Sequence, residues 1–193
     1  MNTQDGGRTL QTTATSLRVV ETLRELDGAR VTEVADEMSL APSTVHAHLT
    51  TLADNEYVVK TGDVYQLSLE FLSLGEYVRT RRKAYRIAES YTEQLADETE
   101  CRAVFTVEEN GRGVYMYTFS GTHAVWTYST VGKRFYLHQT AAGKAILSQL
   151  PESRVDTIVE KWGLPAATEN TITDAEALVE QLASSRERGV AFN

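Results

Sequence analysis

Ser43, Thr44, His46, Ala47 and Thr50 put three hydroxyls and an imidazole around one small residue in a single short stretch. Hydroxyls and imidazoles hydrogen-bond phosphates and base edges alike. Val45, Leu49 and Leu52 recur through the same stretch at helical spacing, so the polar set is left on the opposite face of a helix. Lys60 and Thr61, beside Gly62, make a smaller polar set with access to phosphate. A third set, Thr140, Ala141, Ala142, Gly143 and Lys144, ends in a Gly-Lys pair that invites a phosphate-loop reading. That loop requires glycine where His138 stands and Ser or Thr where Ala145 stands, so the reading fails. For catalysis, no Ser-His-Asp or Cys-His set has a recognisable spacing, and His123 and His138 fit polar positions at element ends. His46 and His48 would stand about 200° apart on a helix, which sets them against a shared metal. Cys101 is alone, which excludes a disulfide framework and a cysteine-based zinc site. We expect no catalytic residues, no metal and no cofactor.

The elements that must hold the first two sets form one pattern. Val34, Ala35 and Met38 mark a short helix, Ser39-Leu40-Ala41 breaks it, and Pro42 suits the first turn of a second helix carrying Val45, Leu49 and Leu52. Two short helices across a three-residue turn are a DNA-reading unit, and its second helix lies in the major groove. Residues 57–60 and 64–69 then read as two strands joined around Thr61-Gly62-Asp63, where glycine supplies the positive φ of a tight turn. Residues 31–69 are therefore expected to be a winged helix-turn-helix touching double-stranded DNA through Pro42, Ser43, Thr44, His46, Ala47 and Thr50, with Lys60 and Thr61 on the wing. For the wing pair, a solvated hairpin tip is an equal reading. Leu17, Val20, Leu23 and Leu26 predict a buttressing first helix capped by Thr15 or Ser16 and ended at Gly28, and Arg30-Val31 suggest a short extra strand.

Composition cuts against a simple electrostatic binder. Of 193 residues, 19 are basic and 27 acidic, for a net charge of −8. Through Gly75, five basic residues face eleven acidic ones, and lysine supplies only five of the cations in the whole chain. Acid excess with little lysine resembles the proteins of salt-adapted archaea, in which molar salt shortens the screening length to roughly 3 Å. An ordinary acidic bacterial protein shares the balance, and both readings stand. No apolar run reaches membrane-spanning length and the start is polar, so the expectation is a cytoplasmic protein without a membrane partner. At 41% apolar content there is enough to build ordinary cores.

Beyond Glu70, Phe71, Leu74, Tyr77 and Val78 share one helical face, and Ile87, Tyr91 and Leu95 another. Between them lie Arg79, Arg81, Arg82, Lys83 and Arg86, the one cluster of positive charge. A solvated helix face, a phosphate contact and a pairing with acid on a partner subunit are its three readings. Residues 103–108, 114–119 and 124–130 read as strands, the first two joined through Asn110-Gly111-Arg112-Gly113. Tyr115, Tyr117, Phe119, Trp126 and Tyr128 alternate, predicting one aromatic face that is core or pocket lining. Helices are expected over 140–150, 152–162 and 174–188. The division is 1–75 for the reading domain, 76–99 for a linker helix and 100–193 for a small domain, in an α+β fold.

Three stretches together resemble the IclR family of transcriptional regulators. They are Ser43-Thr44-Val45-His46 with Leu49, Thr51-Leu52 and Tyr57-Val58; Tyr65-Gln66-Leu67 running into Leu72-Ser73-Leu74-Gly75; and residues 137–147, Leu-His-Gln-Thr-Ala-Ala-Gly-Lys-Ala-Ile-Leu. Thr171-Ile172-Thr173-Asp174 with Leu178, Leu182, Arg186, Arg188 and Gly189 fits the segment that follows. The resemblance implies an N-terminal winged helix, a linker helix and a C-terminal GAF-like or PAS-like α/β effector domain, assembled as a homodimer or tetramer. It also implies that the turn at Thr140, Ala141, Ala142 and Gly143 offers amides to a small carboxylate or aromatic metabolite, with Trp126 and Phe135 lining the pocket. Close helix packing explains the same small residues equally well. Ala47 stands where the family commonly has arginine, and members continue for several dozen residues past the position of Asn193. The expectation is thus an incomplete effector sheet, a half-formed pocket and DNA binding indifferent to small carboxylates. The rivals are a metabolite-binding or protein-interaction module whose winged helix does not read DNA, and an enzyme with an appended winged helix.

Overall fold

Val19, Leu23, Val34, Val45 and Leu49 are essentially sealed from solvent, and around them the first 78 residues organise. In the computed structural model, residues 9–124 and 130–193 are described. The chain divides into two units, Met1–Val78 and Arg79–Asn193, each taken here by itself.

The first unit is three helices and a hairpin. α1 (Gln11–Glu25), α2 (Val31–Met38) and α3 (Pro42–Asp54) precede strands β1 (Val58–Thr61) and β2 (Val64–Leu67), which pair antiparallel around Gly62 at φ +62°. Pro42 opens α3, as its fixed φ favours. Ser39 ends α2 in the left-handed conformation, and Leu40 N–H donates back to the Ala35 carbonyl. The expected first helix is corrected in two respects. It begins at Gln11, so Thr15 and Ser16 lie inside it and cap nothing. Its buried stripe is Thr15, Val19, Thr22 and Leu23, while Leu17 and Leu26 face outward. Apolar residues on both faces hid the true stripe. The extra strand reduces to one bridge between Ala29 and Tyr65, because Val31 already belongs to α2. Gly28, at φ +93°, sits where a Cβ would press within 2.7 Å of Gln66, so that corner is reserved for glycine.

In place of one helix over 76–99 stand two, α4 (Glu70–Thr80) and α5 (Lys83–Thr99), broken at Arg81-Arg82. A continuous helix would stack Arg79 on Lys83 and Arg82 on Arg86, like charges at i,i+4 spacing that destabilise it. In the break, the Arg86 guanidinium donates to the Thr80 carbonyl at 3.0 Å. α5 buries Thr92 and Ala96, and the Ile87, Tyr91 and Leu95 face stays exposed.

In the second unit, strands β3 (Arg102–Glu109), β4 (Arg112–Ser120) and β5 (Arg134–Tyr136) form an antiparallel sheet in the order β3-β4-β5. Asn110 and Gly111, both at positive φ, make the β3–β4 turn. β5 went unrecognised because three residues are too few to show alternation. The expected 124–130 strand falls mostly outside the described residues. α6 (Ala141–Gln149), α7 (Glu152–Trp162) and α8 (Ala175–Arg188) follow, preceded by a 3-10 turn at Leu137–Gln139.

The single aromatic face is corrected. Tyr117 pairs with Phe105 and Tyr115 with Thr106, so Met116 is an extra residue bulging out of β4. The alternation slips there. Tyr115 joins Phe135 in the cluster with Leu147, Val155, Ile158, Leu178 and Leu182. Tyr117 instead packs on Phe105, which meets Tyr85 of α5.

Candidate functional site

α3 is held by its buried residues and displays the rest. Val45 and Leu49 are fully buried and Leu52 packs against the same core, which leaves Pro42, Ser43, Thr44, His46, Ala47 and Thr50 exposed. Ser43, His46, Ala47 and Thr50 fall within roughly 100° of one another around the axis, with Thr44 at the flank. No lysine or arginine lies on α3. What the face offers is hydroxyls, one imidazole and a methyl, a set that suits base edges and bound water more than bulk phosphate charge. On the wing, Lys60 and Thr61 are exposed, and the Lys60 ammonium lies 5.2 Å from the centre of the Tyr65 ring.

One residue that positions this face escaped the sequence reading. His48 Nδ1 lies 2.8 Å from Ser16 Oγ, tying the reading helix to α1 across 32 residues. Ser16 had been read as a cap and His48 had no role. The signal available was the parity of His48, which points away from His46 toward the half-buried side.

The second candidate is the amino end of α6. Thr140 caps it, its Oγ1 accepting from Gly143 N–H at 3.0 Å, and Lys144 N–H donates to the Thr140 carbonyl. The amides of Ala141 and Ala142, at half-buried residues, stand in the first turn, where a helix gives its N–H groups no partner of its own. Gly143 is buried, and a Cβ there would collide with the Leu137 carbonyl, so its smallness serves close packing. Phe135 is a core residue, its ring over Gly113 and 4.5 Å from that of Tyr115. Trp126 lies outside the described residues. The structure thus groups Thr140, Ala141, Ala142 and Gly143 and sets Phe135 in the packing of the sheet.

Beside that turn, two titratable side chains are buried. His138 is 4% exposed and Lys144 8%. His138 Nε2 meets the Pro165 carbonyl at 3.0 Å. Burial pushes its imidazole below the ordinary 6.5, the carbonyl contact pulls the other way, and the Lys144 charge adds to the lowering. Burial likewise lowers Lys144. Among the described residues no three His, Cys, Asp or Glu side chains gather to hold a metal, and no helix is long and apolar enough to cross a membrane.

Residues 14–62 match the IclR helix-turn-helix domain and residues 77–193 match the bacterial transcriptional regulator IclR C-terminal domain. The chain belongs to the IclR family. This IclR-type transcriptional regulator combines a helix-turn-helix DNA-binding domain with a C-terminal effector domain. It is 30% identical over 190 residues to the probable HTH-type transcriptional regulator ArcR of Halobacterium salinarum, covering 96% of this chain and 72% of that one. The IclR transcriptional regulator of Alicyclobacillus acidocaldarius superposes with a TM-score of 0.75 at 26% identity, covering 94% of this chain and 75% of the other. An IclR homologue of Microbacterium hydrocarbonoxydans complexed with 4-hydroxybenzoate has the same fold, with a TM-score of 0.75 at 22% identity over 92% of this chain and 75% of its own. The relatives are transcriptional regulators, and the rival without a DNA-reading role gains no support.

Proposed function

We propose that this IclR-type regulator reads a pseudo-palindromic operator as a homodimer, with Ser43, Thr44, His46, Ala47 and Thr50 in the major groove, Pro42 starting the helix and Lys60 and Thr61 on flanking phosphate. The observation that carries it is the polar face of α3, exposed as a block because Val45 and Leu49 are buried. One such helix spans too few base pairs to be selective alone, so two copies share the work. The partner's seat is α4 and α5, where Leu72, Tyr77, Ile87 and Tyr91 are 46–68% exposed. Residues 1–75 act as the reading domain, 76–99 as the linker and 100–193 as the sensor. The protein works in the cytoplasm, and its acid excess suits molar salt.

The sensor's ligand is a small carboxylate, aromatic or aliphatic, received by the free amides of Ala141 and Ala142 at the positive end of α6. Thr140 and Gly143 shape that turn, Phe135 supports it from the core, and the family resemblance adds Trp126. The Microbacterium homologue, crystallised with an aromatic carboxylate, is in keeping with this ligand class.

Selection of binding sites from a random duplex library tests the operator. Two inverted half-sites centred about 10 bp apart, or at a multiple, are expected, with a dimer or tetramer by light scattering. A single asymmetric half-site or a monomer contradicts the proposal. Calorimetric titration with 4-hydroxybenzoate and with a small aliphatic carboxylate decides between this sensor and the indifference to small carboxylates expected from the sequence: saturable binding at micromolar concentration supports the sensor, and no heat with either removes the carboxylate site.

A further inference from the structure

A cluster of cations gathers where two helices meet, and four of them have no acidic partner among the described residues. Arg81, Arg82, Lys83 and Arg86 are all exposed at the α4–α5 break. Arg79, one turn back, is engaged with Glu89 at 3.9 Å and with the Tyr117 ring. Arg82 lies over the Tyr85 ring at 5.5 Å, and Arg86 donates to a backbone carbonyl. None of Arg81, Arg82, Lys83 and Arg86 has an acidic partner among the described residues, and the first turn of α5 contains no acid. In a chain with eight more acidic than basic residues, such a cluster is the exception.

The unit that carries the reading helix has the opposite problem. Through Gly75 it has five basic residues against eleven acidic ones, its reading helix has no cation, and its wing has only Lys60. Duplex DNA carries one charge per roughly 1.7 Å of axis, and non-specific affinity comes almost wholly from neutralising phosphates with lysine and arginine. The winged helix cannot supply that contribution from its own side chains.

We infer that the α4–α5 break, through Arg81, Arg82, Lys83 and Arg86, is a backbone-phosphate contact for duplex DNA, and that it supplies most of the regulator's salt-dependent affinity. The inference rests on the reading of α3 as the groove helix and divides the labour: α3 selects sequence, the break supplies charge. Like-charge repulsion explains why the helix breaks, and the break spreads the cations along a short irregular segment instead of stacking them on one helical row.

The test is the salt dependence of binding to a selected operator and to a random duplex, comparing the 193-residue wild type with the R81Q/R82Q/K83Q variant. Across about 0.1–1 M salt, the variant's log–log slope should be shallower by roughly two to three per protomer, with affinity down roughly 20- to 80-fold on both duplexes at about 0.2 M. The charge-preserving R81K/R82K variant should keep the wild-type slope, which rules out a folding defect as the cause. An unchanged slope in R81Q/R82Q/K83Q, with wild-type helix content, overturns the inference while leaving the groove assignment intact. A fall in mass from dimer to monomer also overturns it, assigning the cluster to acid on a second copy. Wild-type protein that binds neither duplex defeats the groove assignment and this inference together.

Discussion

The two candidate sites start from the same device, the exposed end of a helix, and differ in what fixes them. In α3 the functional face is the complement of its own buried face: Val45 and Leu49 decide where Ser43, His46 and Thr50 point. At α6 the turn is shaped by the segment just before it and by others remote from it. Gly143 lies against Leu137, Phe135 against Gly113, and His138 against Pro165. A reading helix is thus a local object, whereas a pocket is an agreement between distant strands and loops. The first still depends on one remote tie, Ser16 to His48, while the second depends on several.

The largest effect that can break this comparison is a paired disruption. Leu49→Ala removes a fully buried side chain and should cost about 2–5 kcal/mol, whereas Gly143→Ala drives a Cβ into the Leu137 carbonyl and should cost about 1–3 kcal/mol. Calorimetric unfolding should show Leu49→Ala abolishing DNA binding while the second unit keeps its transition, and Gly143→Ala doing the reverse. One shared transition lowered by either variant would end the separation between a local site and an assembled one.

Smaller losses sharpen the assignment within α3. Thr44→Ala and His46→Ala should each weaken operator binding by roughly 1–3 kcal/mol with little change on random duplex, because groove contacts carry sequence information and phosphate contacts do not. Equal losses on both duplexes, read by fluorescence anisotropy, would move these residues from the groove to the backbone.

Smaller again is the loss of the Ser16 to His48 bond. Ser16→Ala should lower the stability of the first unit by about 0.5–1.5 kcal/mol in urea unfolding, with a similar fractional loss on every DNA sequence, since it loosens the seat of α3 and removes no base contact.

The last effect is a matter of pH. His138 is held below its ordinary 6.5, so the folded second unit favours the neutral ring and the unfolded chain takes up a proton first. The stability this contributes is complete above pH 6.5 and is lost as pH falls from there through the lowered folded value. The midpoint of the second unit should therefore drop on acidification, and His138→Gln should flatten that part of the profile. A variant whose midpoint tracks the wild type across this range would show that His138 does not link to folding.

What could be read in advance follows the same division. Pro42, the Val45 and Leu49 spacing and the Gly62 turn are encoded within a few residues of where they act, and the reading helix, hairpin and exposed polar face were all legible. The start of α1 was not, because the stripe expected from Leu17, Val20, Leu23 and Leu26 shares only Leu23 with the buried one, which also takes Thr15, Val19 and Thr22. Ser16 and His48 meet across 32 residues, a distance over which no periodicity speaks. At α6 the sequence left close packing and ligand contact equally open, and for Gly143 the deciding neighbour, Leu137, becomes visible only when the turn is folded back. Phe135 is implied as a pocket wall by the family resemblance alone, and the three residues of β5 are too few for alternation to say which side its ring takes.

Met116 carries a consequence for how this strand can change over generations. Because it is an additional residue in β4, the faces of Tyr115 and Tyr117 are set by a count and not by their identities. No substitution at position 116 restores a regular alternation. Deleting that one residue would, and both pairings, Tyr115 with Thr106 and Tyr117 with Phe105, would keep their faces. Divergence at this strand can accordingly drop this one residue without rebuilding the layer under α5 or the one under α6 to α8, whereas loss of a paired residue elsewhere in β4 would turn one part of the strand over.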